Sequence, residues 1–403
     1  MFCSPVRILC FLLLIGLGFS LPAAAQATLS GTVRDSLTRQ PLPFASVFLA
    51  NTTRGATTDA EGRYVLAGVP AGRYELAATY LGYQLRQRPV VVGTGDRRVD
   101  LGLLPAAQQL GEVVVRPNPH READYQRFLE LFLGTSTRAK QCRVRNPDAL
   151  QVEYDGERNQ LTATTTQALE VENRALGYRL TFYDLDFKAD FANEQTTMTS
   201  LIHLAFRELP GGAARQRRWA ANRAQAYAGS YLHFLRSVHA NAVAEAGFEV
   251  QRLRRVPNRR RAVADSIRQA VYATGALGQA AVPDSIWRIL EQPRALAYLF
   301  APLLPPASYR REAGGRVWLR FPDLLAVTYP PGRPDANYHQ LSLTLTPGRE
   351  QASVLHLQVP VEAEVDATGT PTVPLSLLTE GYWGFLQIGD LLPLDYQSVP
   401  RNR

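Results

Sequence analysis

Leu29-Ser-Gly-Thr-Val-Arg-Asp35, Pro41-Leu-Pro-Phe-Ala-Ser-Val47, Thr58-Asp-Ala-Glu-Gly-Arg-Tyr64, Val69-Pro-Ala-Gly-Arg-Tyr74 and Tyr80-Leu-Gly-Tyr83 follow one another early in the chain. Across these strings short alternating apolar segments are separated by turn residues, chiefly Gly, Pro and Asp. Turn residues recurring every eight to twelve or so positions mark an antiparallel sandwich. The predicted strands are Leu29–Arg34, Ala45–Ala50, Gly62–Leu66, Gly72–Tyr80, Gln84–Val92, Arg97–Leu103 and Glu112–Val115, a seven-stranded sandwich over residues 28–115. Between the second and third strands, Asn51 to Gly62 forms a reversal in which Asp side chains bond the backbone and Gly supplies positive φ. Asp59 and Glu61 offer too few oxygens for a calcium loop.

Outward from this block, the chain is 403 residues long, 46% hydrophobic and 20% charged. That composition builds ordinary cores and excludes disorder or a fibre. The length is too short for a barrel of about 22 strands with a plug. The net charge is +8, and of 44 basic side chains only Lys140 and Lys188 are lysine. With abundant Ala, this tilt is explained by biased codon supply more simply than by nucleic-acid binding. At the start, Arg7, the apolar run Ile8–Leu21 and Pro22-Ala-Ala-Ala25 have the order of a secretory leader, residues 1–25, cleaved after Ala25 or Ala27. The run is shorter than the roughly 20 residues of a bilayer span, and no later run reaches that length, so no transmembrane span is expected in the mature chain. Export makes envelope surfaces and polysaccharides the plausible anionic partners, and excludes nucleic acid. Cys3 and Cys10 fall in the leader, and Cys10 lacks the small residue that a lipoprotein signal places before its cysteine. Cys142 alone remains, so neither an intramolecular disulfide nor a Cys-based zinc cluster is expected, and an inert apolar role is preferred for it.

The quoted strings resemble the carboxypeptidase-regulatory-like domain, a prealbumin-type sandwich of envelope proteins of Bacteroidota type. That domain often forms the N-terminal extension of TonB-dependent nutrient receptors, where a segment like Leu110-Gly-Glu-Val-Val-Val115 leads on to a plug. The chain ends before a plug and barrel could be completed, so the resemblance implies a compartment and a build but no receptor function. Peptidase chemistry does not follow either. A metallocarboxypeptidase needs a His-x-x-Glu pair and a distant His around zinc, and none of His120, His203, His233, His239, His339 and His356 is followed by an acid three residues on. No metal or cofactor is expected, and neither Gly-x-Ser-x-Gly nor a P-loop occurs.

Residues 116–121, with Arg116-Pro-Asn-Pro119, read as a linker to an α+β domain over 122–403. Its predicted elements are a helix at Glu122–Leu133, strands at Leu150–Tyr154, Gln160–Thr165, Leu169–Glu172 and Tyr178–Phe187, and a turn at Asn173–Gly177. Helices follow at Ala213–Ala246, Arg261–Ala273 and Pro283–Phe300. The last strands are Val317–Phe321, Leu325–Tyr329, Leu341–Thr346, Ser353–Val359 and Val373–Leu377. The block Trp219–Arg236, with Gly381-Tyr-Trp383 and Leu391–Tyr396, is similar to envelope proteins that carry the same N-terminal sandwich.

Within the long predicted helix, Trp219, Asn222, Arg223, Tyr227, Ser230 and His233 fall on one wide face, where rings could stack on a ligand while Asn and Arg donate hydrogen bonds. The preferred reading is a core stripe with a satisfied polar network, and the face stands as the candidate binding site. Arg252, Arg254, Arg255, Arg259, Arg260 and Arg261 form the densest charge, a candidate contact for anionic glycans or lipid phosphates, with a solvated loop as the preferred reading. Asp-Ser-apolar triplets at Ser36, Ser266 and Ser285 resemble an O-glycosylation acceptor of such bacteria, and equally ordinary cap chemistry.

The function expected from this is an exported envelope protein, periplasmic or associated with the outer membrane or cell surface, with a non-catalytic binding or assembly role toward an envelope protein or glycan. The alternatives are a hydrolase of envelope or dietary polymers with the sandwich as accessory, and an accessory partner of a TonB-dependent receptor. N-terminal sequencing of the exported protein should read from Gln26 or Thr28. An intact Met1 in the exported fraction would refute the leader.

Overall fold

The computed structural model describes residues 26–106, 120–191, 196–273, 282–339, 350–358 and 362–398. The leader, the predicted strands at Glu112–Val115 and Leu341–Thr346, and residues 116–119 of the linker lie outside the described residues. The described chain divides into two units, one of residues 26–48 and 54–106, the other of residues 49–53 and 120 onward.

The first unit is a sandwich of two four-stranded sheets. Its strands are β1 (Gln26–Asp35), β2 (Ser46–Leu49), β3 (Gly55–Thr57), β4 (Arg63–Pro70), β5 (Gly72–Thr79), β6 (Arg86–Val92), β7 (Arg97–Arg98) and β8 (Leu101–Leu103). One sheet runs β4-β1-β7 with β8 also on β1, and the other runs β3-β2-β5-β6. Alternation sets the faces: Tyr64, Leu66 and Val69 of β4 and Tyr74 and Leu76 of β5 point inward beside Leu29 and Val33. The sixth predicted strand, Arg97–Leu103, is two short strands, because the Asp100 carboxylate takes the Thr32 N–H at 2.8 Å between the parallel pairings of β7 and β8 with β1. The reversal before β4 also holds the short strand β3. Its turn is made as expected by Asp59, whose carboxylate accepts the N–H groups of Glu61 at 3.0 Å and Arg63 at 2.8 Å.

The second unit is α+β. After α1 (Arg121–Phe132) come β9 (Cys142–Val144), β10 (Leu150–Asp155), β11 (Gln160–Thr165), β12 (Leu169–Asn173), β13 (Tyr178–Asp190) and β14 (Thr197–Glu208), which form one antiparallel sheet. The long β13 pairs with β12 near its start and with β11 near its end on one edge, and with β14 along the other. α1 lays Phe128 and Phe132 on this sheet, edge-on to Phe187 at 5.3 and 5.9 Å between centroids. The remaining elements are α2 (Ala213–Tyr227), α3 (Tyr231–His239), β15 (Glu249–Pro257), α4 (Arg259–Ala273), α5 (Asp284–Leu290), β16 (Ala295–Leu303), β17 (Arg310–Ala313), β18 (Arg316–Leu319), β19 (Leu324–Tyr329), β20 (Gln351–Leu357), β21 (Ala363–Val365), β22 (Leu377–Gly381) and α6 (Tyr382–Phe385). They give a five-stranded sheet in the order β16-β15-β19-β20-β22 and a three-stranded sheet β17-β18-β21. Phe234, Leu235 and Val238 of α3 pack into the core that these strands share with Tyr309 and Trp383.

Four expectations are corrected. The helix predicted over Ala213–Ala246 is two helices. Gly229 breaks it with φ +77°, its carbonyl accepts Trp383 Nε1–H at 2.8 Å, and Ser230 caps α3 by accepting the His233 N–H. The helix predicted over Pro283–Phe300 stops at Leu290 near Pro293, and Ala295–Leu303 is a strand. A run that is apolar throughout carries no period to tell the two apart. The Arg-rich segment is the strand β15 followed by the first turn of α4, not a loop. The strand predicted at Val373–Leu377 begins only at Leu377, where it meets Leu357.

Gly177 closes the β12–β13 turn at φ +72°, and a Cβ there would lie 2.2 Å from Trp219 Cδ2. Gly177→Ala combines overpacking with a left-handed backbone and should cost about 2–4 kcal/mol. Gly314→Ala, left-handed at φ +57° but in open space, should cost about 1 kcal/mol. All 4 tryptophans lie beyond residue 200, so urea unfolding followed by tryptophan fluorescence reports on the second unit. Equal losses in the two variants would contradict the packing argument.

Candidate functional site

The six residues of the predicted aromatic face fall into two groups. Trp219, Asn222 and Arg223, at i, i+3 and i+4 on α2, face the turn Asn173–Gly177. Trp219 Nε1–H donates to the Arg174 carbonyl at 2.9 Å, and Asn222 Nδ2–H to that of Ala175 at 2.7 Å. Arg223 donates from Nε to the Leu176 carbonyl at 2.7 Å and from Nη2 to that of Gly177 at 3.1 Å. Its Nη1 bonds Glu208 at 2.6 Å, and the guanidinium sits 3.9 Å from the Tyr178 ring centroid. Four successive carbonyls therefore each receive a donor from one helix. The donors that made this face attractive for a ligand are engaged with the protein's own backbone.

Tyr227, Ser230 and His233 belong to the break between α2 and α3. Ser230 is the cap of α3. His233 Nδ1 accepts the Gly229 N–H at 3.2 Å, and its ring lies 4.7 Å from Tyr227 and 4.9 Å from Phe248. Burial, helped by the charge of Arg236, lowers His233 to about 4, so the imidazole is neutral at physiological pH. Tyr227 packs on Tyr396. These residues seat α3 against the strands behind it.

The arginine cluster is likewise partnered. Arg252 Nε–H donates to Asp323 at 2.8 Å, and Arg254 lies 4.0 Å from the same carboxylate. Arg255 forks onto Glu380 with Nη1 at 3.0 Å and Nη2 at 2.6 Å. Arg261 is buried, donating to Asp265 at 3.3 Å and to the Gln292 carbonyl at 2.9 Å, while Arg259 and Arg260 are exposed. No local pattern marks Asp323, Glu380 or His356, which are brought near β15 by the order of the five-stranded sheet.

β15, β20 and β22 bring together an ionisable cluster of Arg255, His356 and Glu380. Glu380 on β22 takes the Arg255 fork from β15, and His356 Nε2 on β20 lies 2.7 Å from its Oε1, close in charge terms but poorly directed as a hydrogen bond. Beside it, the edge strand β16 leaves Tyr298, Phe300 and Leu303 exposed. Elsewhere, burial pushes the Cys142 thiol up to about 12, which keeps it protonated and unreactive. Ser36 Oγ–H donates to the Leu103 carbonyl and Ser266 Oγ–H to that of Ala262, and Ser285 lies in the first turn of α5. Among the described residues no group of three His, Cys, Asp or Glu side chains is placed to hold a metal, and no helix is long and apolar enough to cross a membrane.

Burial alone would raise Glu380, but the His356 contact and the Arg255 bonds outweigh it and bring the carboxyl down to about 2, from an ordinary 4.5. A depressed carboxylate adds stability that is present above its unfolded value and lost as pH falls through its folded one. The stability difference between the parent and Glu380→Gln should therefore be full at pH 6 or so and shrink between pH 4.5 and pH 2. Urea midpoints across that range would check it, and a difference independent of pH would refute it.

Comparison with known proteins bears on the first unit. The family model of the CarboxypepD_reg-like domain matches residues 29–115. A TonB-dependent receptor of Formosa agariphila is 34% identical over 93 residues, which is 23% of this chain and 8% of the receptor's length. Among solved structures, a 5-hydroxyisourate hydrolase from Klebsiella pneumoniae is similar over 20% of this chain and 92% of its own, at 26% identity and a TM-score of 0.18. A pilus 2b backbone protein of group B streptococcus is similar over 20% of this chain and 42% of its own, at 19% identity and a TM-score of 0.18. Residues 29–115 are thus matched in sequence as a CarboxypepD_reg-like domain, and the described part of them, residues 29–106, folds as a two-sheet sandwich.

Proposed function

We propose that this protein is a non-catalytic component of a bacterial cell envelope, exported by its leader and acting in binding or assembly toward an envelope protein or glycan. The observation that carries the reading is the CarboxypepD_reg-like domain at residues 29–115, similar to a segment of a TonB-dependent receptor. The chain spans only 8% of that receptor's length, so the receptor's transport activity is not part of the proposal. The second unit supports a binding role, because its polar groups hold a rigid α+β scaffold and leave the edge strand β16 exposed. The receptor similarity also favours a second reading, that the protein is an accessory partner of a TonB-dependent receptor.

The test is fractionation of the native host followed by cross-linking, affinity capture of a tagged full-length chain and mass spectrometry. Recovery in the envelope fraction with a reproducible envelope partner is expected, and a receptor among the partners would select the second reading. Recovery in the cytosol would refute the envelope role. Hydrolysis of peptides or glycans by the purified protein, abolished by substituting an acidic residue or a histidine, would refute the non-catalytic one.

A further inference from the structure

The start of α2 has the wrong charge for an isolated helix. Its N-cap is Gly212, with no side-chain cap, and its first turn holds no acid. Arg215, Arg217 and Arg218 stand there instead. The first N–H groups of a helix are unpaired and its N-terminal end is partly positive, so cations there are unfavourable unless an anion joins them.

Beside this helix start lies a hollow of about 460 Å³, formed by Arg174 and Arg179 next to the β12–β13 turn, Leu209 and Pro210, and Arg215 and Arg218 of α2. An adjoining hollow of about 560 Å³ reaches from Arg215 and Arg218 to the uncapped Gly212. Among the residues of the first wall there is one carboxylate, Glu172, and it is already shared: Arg179 Nη2 lies at 3.0 Å, and Arg145 and Arg174 at 3.7 Å. Arg215 and Arg218 are exposed and have no ion pair among the described residues. Arg174, Arg179, Arg215 and Arg218 thus line one hollow whose one wall carboxylate is shared by three arginines, and Arg179 also lies 3.8 Å from Glu170. Guanidinium forks match planar or tetrahedral oxyanions, and the Leu209–Pro210 wall gives an apolar surface for the body that carries such a group.

We propose that this hollow is an oxyanion-binding site, in which Arg215 and Arg218 hold a sulfate, phosphate or carboxylate group against Arg174 and Arg179. The charge surplus and the open helix start are then two parts of one device. The site needs neither the aromatic face nor the β15 cluster, and it stands whichever compartment the protein occupies.

Titration calorimetry of the full chain at fixed ionic strength, with inorganic sulfate and phosphate against chloride, tests it. Arg215→Gln/Arg218→Gln removes the two guanidiniums that have no ion pair among the described residues, and Arg217→Gln removes the same kind of charge from the same helix but outside the cavity wall. All three side chains are exposed, and unchanged circular dichroism and melting should show that both variants fold. Saturable sulfate or phosphate binding is expected in the parent and in Arg217→Gln, weakened about tenfold or more in the double variant. A sulfated tetrasaccharide separates the sources. Affinity equal to the free ion's assigns a free ion, and tighter binding assigns a polymer-borne group. Absence of saturable binding in the parent, retention in the double variant, or equal loss in Arg217→Gln would overturn the proposal.

Discussion

Four consecutive backbone carbonyls, those of Arg174, Ala175, Leu176 and Gly177, point out of the β12–β13 turn and must find donors. A turn folded on itself cannot supply them, and a buried carbonyl without a partner costs about 1–3 kcal/mol. α2 gives each of them a donor from Trp219, Asn222 and Arg223, and the Gly177 carbonyl also takes the Leu209 N–H at 2.9 Å. The turn is fixed from inside by Asn173, whose Oδ1 accepts the N–H groups of Ala175 at 3.1 Å and Leu176 at 3.0 Å. Asn173 Nδ2–H also reaches the Gly389 carbonyl at 2.8 Å, so the same residue ties down the chain's last described segment. The six-stranded sheet, the helix that follows it and the C-terminal segment are thereby held at one corner.

The C-terminal segment is held twice more. Arg236 donates to the carbonyls of Thr368, Leu394 and Tyr396 at 3.0, 2.7 and 2.7 Å. Arg138 bonds the buried Asp390 at 2.7 Å. Burial raises the Asp390 carboxyl despite the neighbouring Arg138, so desolvation outweighs the attraction at that pair. Such a pair contributes little net stability while intact, and is costly to break on one side. Arginine suits these roles because its five donors, spread over three nitrogens in a fixed plane, reach carbonyls several ångströms apart at once, whereas the donors of lysine sit on one nitrogen. The near absence of lysine from the sequence therefore has a structural use here, whatever its origin.

The arginines separate by what they face. Those of β15 meet Asp323 and Glu380 across strands and are neutralised, and Arg223 and Arg236 are tied to carbonyls. Arg215 and Arg218, far in sequence from Arg174 and Arg179, line a hollow with them instead. Density along the chain was a poor guide to surplus charge in space. Neutralisation depends on acids 71 and 125 residues away in sequence, and register alone decides which strand brings them.

What the residues determined by themselves was local and periodic. Alternation and turn chemistry gave the sandwich strands of residues 26–103, since Asp59, Gly62 and their neighbours act within a few residues of themselves. The strands at Leu150–Asp155 and Gln160–Thr165 and the turn before β13 were legible for the same reason. The misreadings came where one local pattern fits two structures. Ala295–Leu303 is apolar throughout, and the helical spacing across Tyr227–His233 continues through a break made by Gly229 and the Ser230 cap, whose Gly229 carbonyl is held by Trp383, 154 residues away. The tertiary structure decided which polar side chains are engaged and which are left facing solvent. Hydrogen bonds and ion pairs are made between groups brought together by sheet order, and sheet order is not written in the spacing of any one segment.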